Sequence, residues 1–175
     1  VSAGAALMGV DIVEVDRIAR AARRGGDVFA RRLTTAAERA LGPGPAAFSV
    51  KESLIKAVGS RPPGFTWHDF EAEARPPSGW SASLLEEAAG ELAASTGLRL
   101  TGGAAYTVRG ASGRAALARL RPAPDGAGRT PAGTAAGAAR RRSGDGGIVA
   151  GAARWGSGDG LFVSLAIVFV DGSVG

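Results

Sequence analysis

The stretch FSVKESLIKAVG, residues 48–59, holds both lysines of the chain, Lys51 and Lys56, while arginine supplies every other basic side chain. Phe48, Glu52 and Lys56 recur at i, i+4, the spacing of one helical face, and Lys51 lies about 100° round the axis from Glu52. Pro45 suits the first turn, and Gly59 with the prolines at 62 and 63 ends the pattern, so a helix with the body AAFSVKESLIKAV is predicted. One carboxylate flanked by two lysines, in a chain that otherwise uses arginine, marks this helix as the first place to look for chemistry.

Upstream, MGVDIVEV, residues 8–15, alternates Met8, Val10 and Ile12 against Gly9 and Asp11, which predicts a strand. From Val15 the period becomes helical, with Ile18, Ala19 and Ala22 on one face and Arg17, Arg20 and Arg24 on another, until Gly25 and Gly26 end it. Thr35 with Glu38 three residues later spells a capping box for a further helical turn, and GPGP at 42–45 breaks it.

Downstream, FTWHDFEAEA, residues 65–74, reads as a strand, and LLEEAAGELAASTG, residues 84–97, as an amphipathic helix stopped by Gly97. AAYTVRG and RAALARL, with glycine between them, suggest a hairpin. Residues 122–147 carry Pro, Gly, Ala and Arg without apolar periodicity, as a flexible insertion would. IVAGAARW, a GSGDG turn and LFVSLAIVFV form a second hairpin with a buried last strand. Mixed helices and antiparallel strands over 175 residues fit one α+β domain, an antiparallel sheet packed against a long helix.

Composition excludes several chemistries. Without cysteine there is no disulfide, thiolate nucleophile or Cys-ligated zinc, and a cytoplasmic setting fits. The opening VSAGAALMGV is too short and weakly apolar for a signal peptide, and no apolar run is long enough to span a membrane. The residues before Met8 are either an added scar or the edge of a longer chain. The net charge of +5 invites nucleic acid, but the arginines from 17 to 32 and at 140–142 lack interleaved aromatics, and an acidic protein partner explains them equally well; a basic nucleic-acid binder stays as a third reading.

Asp11, on a strand built for burial, and Glu52 are the candidate metal ligands. Each has an ordinary explanation, a strand-end aspartate or a solvated ion pair. If strand and helix pack together, the two carboxylates share a hard cation such as Mg²⁺, which takes one or two protein carboxylates plus substrate phosphates. Lys56, a compact point charge on the Glu52 face, then reaches phosphate oxygens. His68 neighbours Asp69, but on an alternating strand the two point to opposite faces. Trp67, Trp80 and Trp155 read as packing anchors.

GVDIVEVDRI, FSVKESLIKAVG and FTWHDFE, in that order, resemble the small 4′-phosphopantetheinyl transferases of the holo-acyl-carrier-protein synthase type, over roughly residues 8–71. The resemblance implies transfer of 4′-phosphopantetheine from coenzyme A to a carrier-protein serine, with release of 3′,5′-ADP. It implies Asp11 and Glu52 as Mg²⁺ ligands, Glu52 as base, and Lys56, with Lys51, as partners of the coenzyme A phosphates. Arg17 corresponds to the family arginine that meets an acidic helix of the acyl or peptidyl carrier protein, with Arg24 and Arg32 as companions. Homotrimers with coenzyme A in clefts between subunits are implied as well.

Two departures stand out. Ala47 precedes Phe48 where the family often has Arg, and the expected late Ser-x-x-His or Thr-x-x-His is replaced by AGAARW, residues 150–155, which leaves Arg154 as the cation for the coenzyme A 3′-phosphate. These departures keep open a second class of function, a carrier-docking or structural module of a megasynthase that has lost catalysis. Fatty-acid, polyketide and peptide pathways all remain compatible.

Overall fold

A computed structural model describes residues 5–41, 46–121 and 148–171. The GPGP break with Pro45, the insertion at 122–147 and the arginines at 140–142 lie outside the described residues. The elements run β1 (Ala6–Glu14), α1 (Val15–Leu33), α2 (Ala36–Ala40), α3 (Ala46–Val58), a single 3-10 turn (Trp67–Asp69), β2 (Phe70–Ala72), α4 (Gly79–Thr96), β3 (Gly102–Val108), α5 (Gly110–Leu120), β4 (Ile148–Gly158) and β5 (Leu161–Asp171). All five strands pair antiparallel, in the order β1-β5-β4-β3-β2. The expected α+β class is what forms.

The last hairpin supplies the centre of the sheet. Its turn runs through Asp159 and Gly160, both at positive φ, the geometry that matches the right-handed twist of the flanking strands. Alternation along β5 then sends Ala166 and Val168 to one core cluster, with Val50, Leu54, Phe70 and Tyr106, and Val163, Leu165 and Ile167 to the other, with Leu85 and Ala89 of α4. The sheet thus lies between α3 on one face and α4 on the other. α3 is buried nearly all round, which explains why its apolar residues do not keep to one stripe.

Three local expectations change. Gly26, at φ 47 and ψ −138, kinks the helix where a stop is expected, and helical structure resumes to Leu33. The conformation is one that glycine adopts without steric cost. The 65–74 strand shrinks to β2, because Asp69 curls its chain into the 3-10 turn, accepting from Thr66 Oγ1 at 3.0 Å and from Ser112 N at 2.9 Å and Oγ at 2.8 Å. The same carboxylate answers the first turn of α5, so RAALARL is helical and no hairpin forms there. Ala, Leu and Arg are strong helix formers, and the Asp69 contact supplies the start signal that no residue within α5 carries.

Candidate active site

The geometry of the site begins with Gly9. Its missing side chain lets the α3 backbone press onto β1, since a Cβ there would lie 2.1 Å from Ser53 O and 2.4 Å from Ala57 N. Pressed this close, α3 delivers Ser49 and Lys56 to Asp11. Ser49 Oγ donates to Asp11 Oδ2 at 2.8 Å, Lys56 Nζ donates to Asp11 Oδ1 at 2.8 Å, and Ser49 also bonds Ser164, directly opposite Asp11 on β5, at 2.9 Å. Glu52 lies between Ser49 and Lys56 on that helix, three residues after one and four before the other. The stripe that carries Glu52 is therefore the stripe that touches Asp11.

Burial differs along the seam. Asp11 is 7% exposed, whereas the Lys56 side chain is 51% exposed, so the lysine covers a nearly buried carboxylate and keeps its own head in solvent. Glu52 faces a cleft of about 290 Å³ lined by Phe29, Arg32, Phe48, Arg61 and Trp67. Phe48 meets Phe29 and Trp67 with ring centres 6.3 and 5.7 Å away. Arg61 Nη2 donates to Glu52 Oε1 at 2.5 Å.

Residues 7–108 match the model of the 4′-phosphopantetheinyl transferase superfamily. The chain belongs to that superfamily. Similar proteins are the holo-[acyl-carrier-protein] synthases of Koribacter versatilis, 39% identical over 100 residues that cover 52% of this chain and 79% of that one, and of Frankia casuarinae, 45% identical over 67 residues that cover 37% and 55%. The synthase of Clavibacter michiganensis subsp. michiganensis is 46% identical over 66 residues, 37% of this chain and 54% of its own. The matched span ends with β3, so Asp11, Glu52 and Lys56 lie inside it and Arg154 outside.

The two lysines part company. Lys51 is fully buried, and Nζ donates to Glu38 Oε2 and Leu33 O at 2.8 Å each and to Trp67 O at 3.2 Å. An ammonium has three protons, and all are taken. The expected contact with coenzyme A phosphates is thus corrected: Lys51 ties α1, α2 and the 3-10 turn to α3. Burial pushes its pKa below the usual lysine range, opposed by the Glu38 carboxylate. Glu38 is equally committed, accepting from Thr35 N at 2.7 Å in the expected capping box and from Ala72 N at 3.0 Å.

Arg154 is corrected too. It stands opposite Leu165 on β4, so its side chain projects toward α4, where it pairs with Glu86 on the sheet face away from Asp11. Within one chain it does not join the site. Arg17 and Arg24 lie exposed on α1 before the Gly26 kink, and Arg32 lines the Glu52 cleft. His68 and Asp69 share the 3-10 turn but do not pair; His68 Nε2 lies 2.9 Å from Arg31 O. Among the described residues no helix is long and apolar enough to cross a membrane.

Sequence reading did not single out Ser49, Ser164 or Arg61. Ser49 carries a signal, three residues before Glu52 on the same face, but Ser164 and Arg61 depend on the pairing of β1 with β5 and on the path of the 59–66 loop. Among the described residues no three His, Cys, Asp or Glu gather as a metal cage. The donor set nevertheless suits Mg²⁺, because two hard carboxylates are each held by a cationic side chain, Asp11 by Lys56 and Glu52 by Arg61. Those cations mark where positive charge is wanted, and Mg²⁺ needs only such a pair with water and substrate phosphates.

Proposed function

We propose that the chain transfers the 4′-phosphopantetheine group of coenzyme A to a serine hydroxyl of an acyl or peptidyl carrier protein. The seryl oxygen forms a bond to the phosphorus next to pantetheine, the bridge to the second phosphate breaks, and 3′,5′-ADP leaves. The observation that carries this reading is the contact of Ser49 and Lys56 with Asp11 inside the superfamily match, with Glu52 between those two residues on the same helix. Asp11 and Glu52 would hold Mg²⁺, which when bound neutralises the pyrophosphate and stabilises the charge that moves onto the leaving phosphate.

The chain's own residues do the rest. Glu52, at the mouth of the cleft, takes the seryl proton, a role that general bases fill for about 10²- to 10⁴-fold in rate. Lys56, exposed at its head, meets phosphate oxygens. Ser49, itself bonded to Ser164, holds Asp11 in one orientation. The exposed guanidinium groups of Arg17 and Arg24 face an acidic carrier helix, where opposite charge speeds encounter. Homotrimeric assembly belongs to the same reading and is supported by exposed Met8, Val10 and Ile12 on the outward face of the edge strand β1.

The test is intact-mass measurement of an apo carrier protein incubated with the chain, coenzyme A and Mg²⁺. A gain of roughly 340 Da, the mass of the transferred group, lost with Glu52→Gln and without divalent metal, supports the reading. A carrier that binds but never gains mass returns the chain to the docking-module class, which the pairing of Arg154 with Glu86, on the sheet face away from Asp11, would suit.

A further inference from the structure

The carboxylate assigned to proton transfer is already held by a guanidinium. Arg61 Nη2 reaches Glu52 Oε1 at 2.5 Å, and the guanidinium carbon lies 5.5 Å from the Phe65 ring centre and 5.0 Å from that of Trp67. The rings meet each other edge to face, with centres 5.7 Å apart, and so make a fixed seat. Backbone restraint adds to this. Pro62 follows Arg61 and confines it to extended geometry, and Phe65 N closes a turn on Pro62 O at 2.9 Å. The side chain is 51% exposed and lines the Glu52 cleft.

We propose that Arg61 is a donor-binding residue that neutralises Glu52 while no divalent cation is present, and offers the same guanidinium to a donor phosphate once Glu52 takes the cation. This deepens the transfer reading and rests on it. A cation on Glu52 competes with the guanidinium for the same negative charge, so its arrival weakens the hold of Oε1 on Arg61. The aromatic seat does not depend on Glu52, so the loosened group stays at the cleft mouth. Glu52 takes one of its five N–H donors, and the planar fork suits a phosphate. Arg32, on the same cleft, adds positive charge that draws an anionic ester inward.

The experiment uses the full chain, with Arg61→Gln and Arg61→Lys beside it, each checked by thermal melting. Free Mn²⁺ is followed by electron paramagnetic resonance, and coenzyme A binding by calorimetry with Mg²⁺ present. Arg61→Gln should bind Mn²⁺ alone about three- to tenfold more tightly, because its competitor is gone, and coenzyme A about tenfold more weakly, the loss of one charge-assisted hydrogen bond. Arg61→Lys, charged but without the fork, should fall between. Equal Mn²⁺ affinity in Arg61→Gln and the unaltered chain overturns the neutralising role, and unchanged coenzyme A binding overturns the phosphate role. If the unaltered chain binds no coenzyme A, the transferase reading falls and the phosphate role with it, while the Mn²⁺ comparison still decides the contact with Glu52.

Discussion

Lys56 Nζ sits 2.8 Å from Asp11 Oδ1, joining a helix to an edge strand 45 residues away in sequence. The bond is half in solvent on the lysine side and nearly buried on the aspartate side. A pair of this kind contributes little to stability if exposed, but an aspartate stripped of its cation at a nearly buried position loses its main compensation.

Replacing each partner separates the two roles. Lys56→Met should raise the KM for coenzyme A about tenfold, because a phosphate partner is lost, and lower the melting temperature modestly, because Asp11 keeps Ser49 but loses its cation. Asp11→Asn should lower kcat by roughly 10²-fold or more at saturating coenzyme A, the usual cost of removing one electrostatic stabiliser from a reacting site. Steady-state transfer to an apo carrier, with melting temperatures alongside, reads both. Loss of KM in one variant and kcat in the other supports separate tasks; identical losses would mean that the pair acts only as a unit.

Lys51 calls for a different measurement, since none of its protons reaches solvent. Lys51→Met should destabilise the chain by about 3–5 kcal/mol, because it leaves the Glu38 carboxylate buried without a cation. Adding Glu38→Gln should recover part of that loss, as the double change removes the stranded charge. Urea unfolding of the two single variants and the double variant gives the coupling. Strict additivity would show that the pair, despite its 2.8 Å contact, is energetically independent.

These lysines show what the sequence could and could not yield. Periodicity placed both on one helix and set Lys56 on the Glu52 face, because helical spacing is local. Whether the turn beside Lys51 faces solvent or protein depends on α1, α2 and the 3-10 turn converging there, and no pattern within 48–59 encodes that. The capping box of Thr35 and Glu38 was legible for the same local reason, but the reach of Glu38 to Lys51 was not. The start of α5 was hidden likewise, since its carboxylate, Asp69, lies far upstream. Arg154 was assigned by position along the chain, whereas strand parity turns it to the other face of the sheet.

The neighbouring Thr35 hydroxyl, and then the Arg109 guanidinium, whose Nη2 donates to Glu71 Oε2 at 3.0 Å, hold the Glu71 carboxyl below its ordinary value of 4.5, against an opposing effect of burial. A folded value below the unfolded one means that the unfolded state binds the proton first as pH drops. The stabilisation is then full above 4.5 and is lost as pH falls through the folded value. Glu71→Gln should therefore lower stability at neutral pH, and the gap between the variant and the unaltered chain should close below that window. Urea midpoints across a pH series check it, and a gap of constant size would show that the loss is one of packing.

Gly9 ties the fold to the chemistry. A methyl group there would meet backbone, Ser53 O at 2.1 Å and Ala57 N at 2.4 Å, and neither can rotate away as a side chain would. Gly9→Ala must push α3 off β1, at an expected cost of about 1–3 kcal/mol for overpacking. The displacement opens the seam in which Ser49 and Lys56 reach Asp11 from α3. Transfer activity should consequently fall well beyond what the loss of folded protein explains, since small misplacements at a reacting site can cost roughly 10²-fold. Comparing kcat with the folded fraction at one temperature separates the effects. Activity that tracks the folded fraction alone would mean that the spacing between α3 and β1 does not control the site.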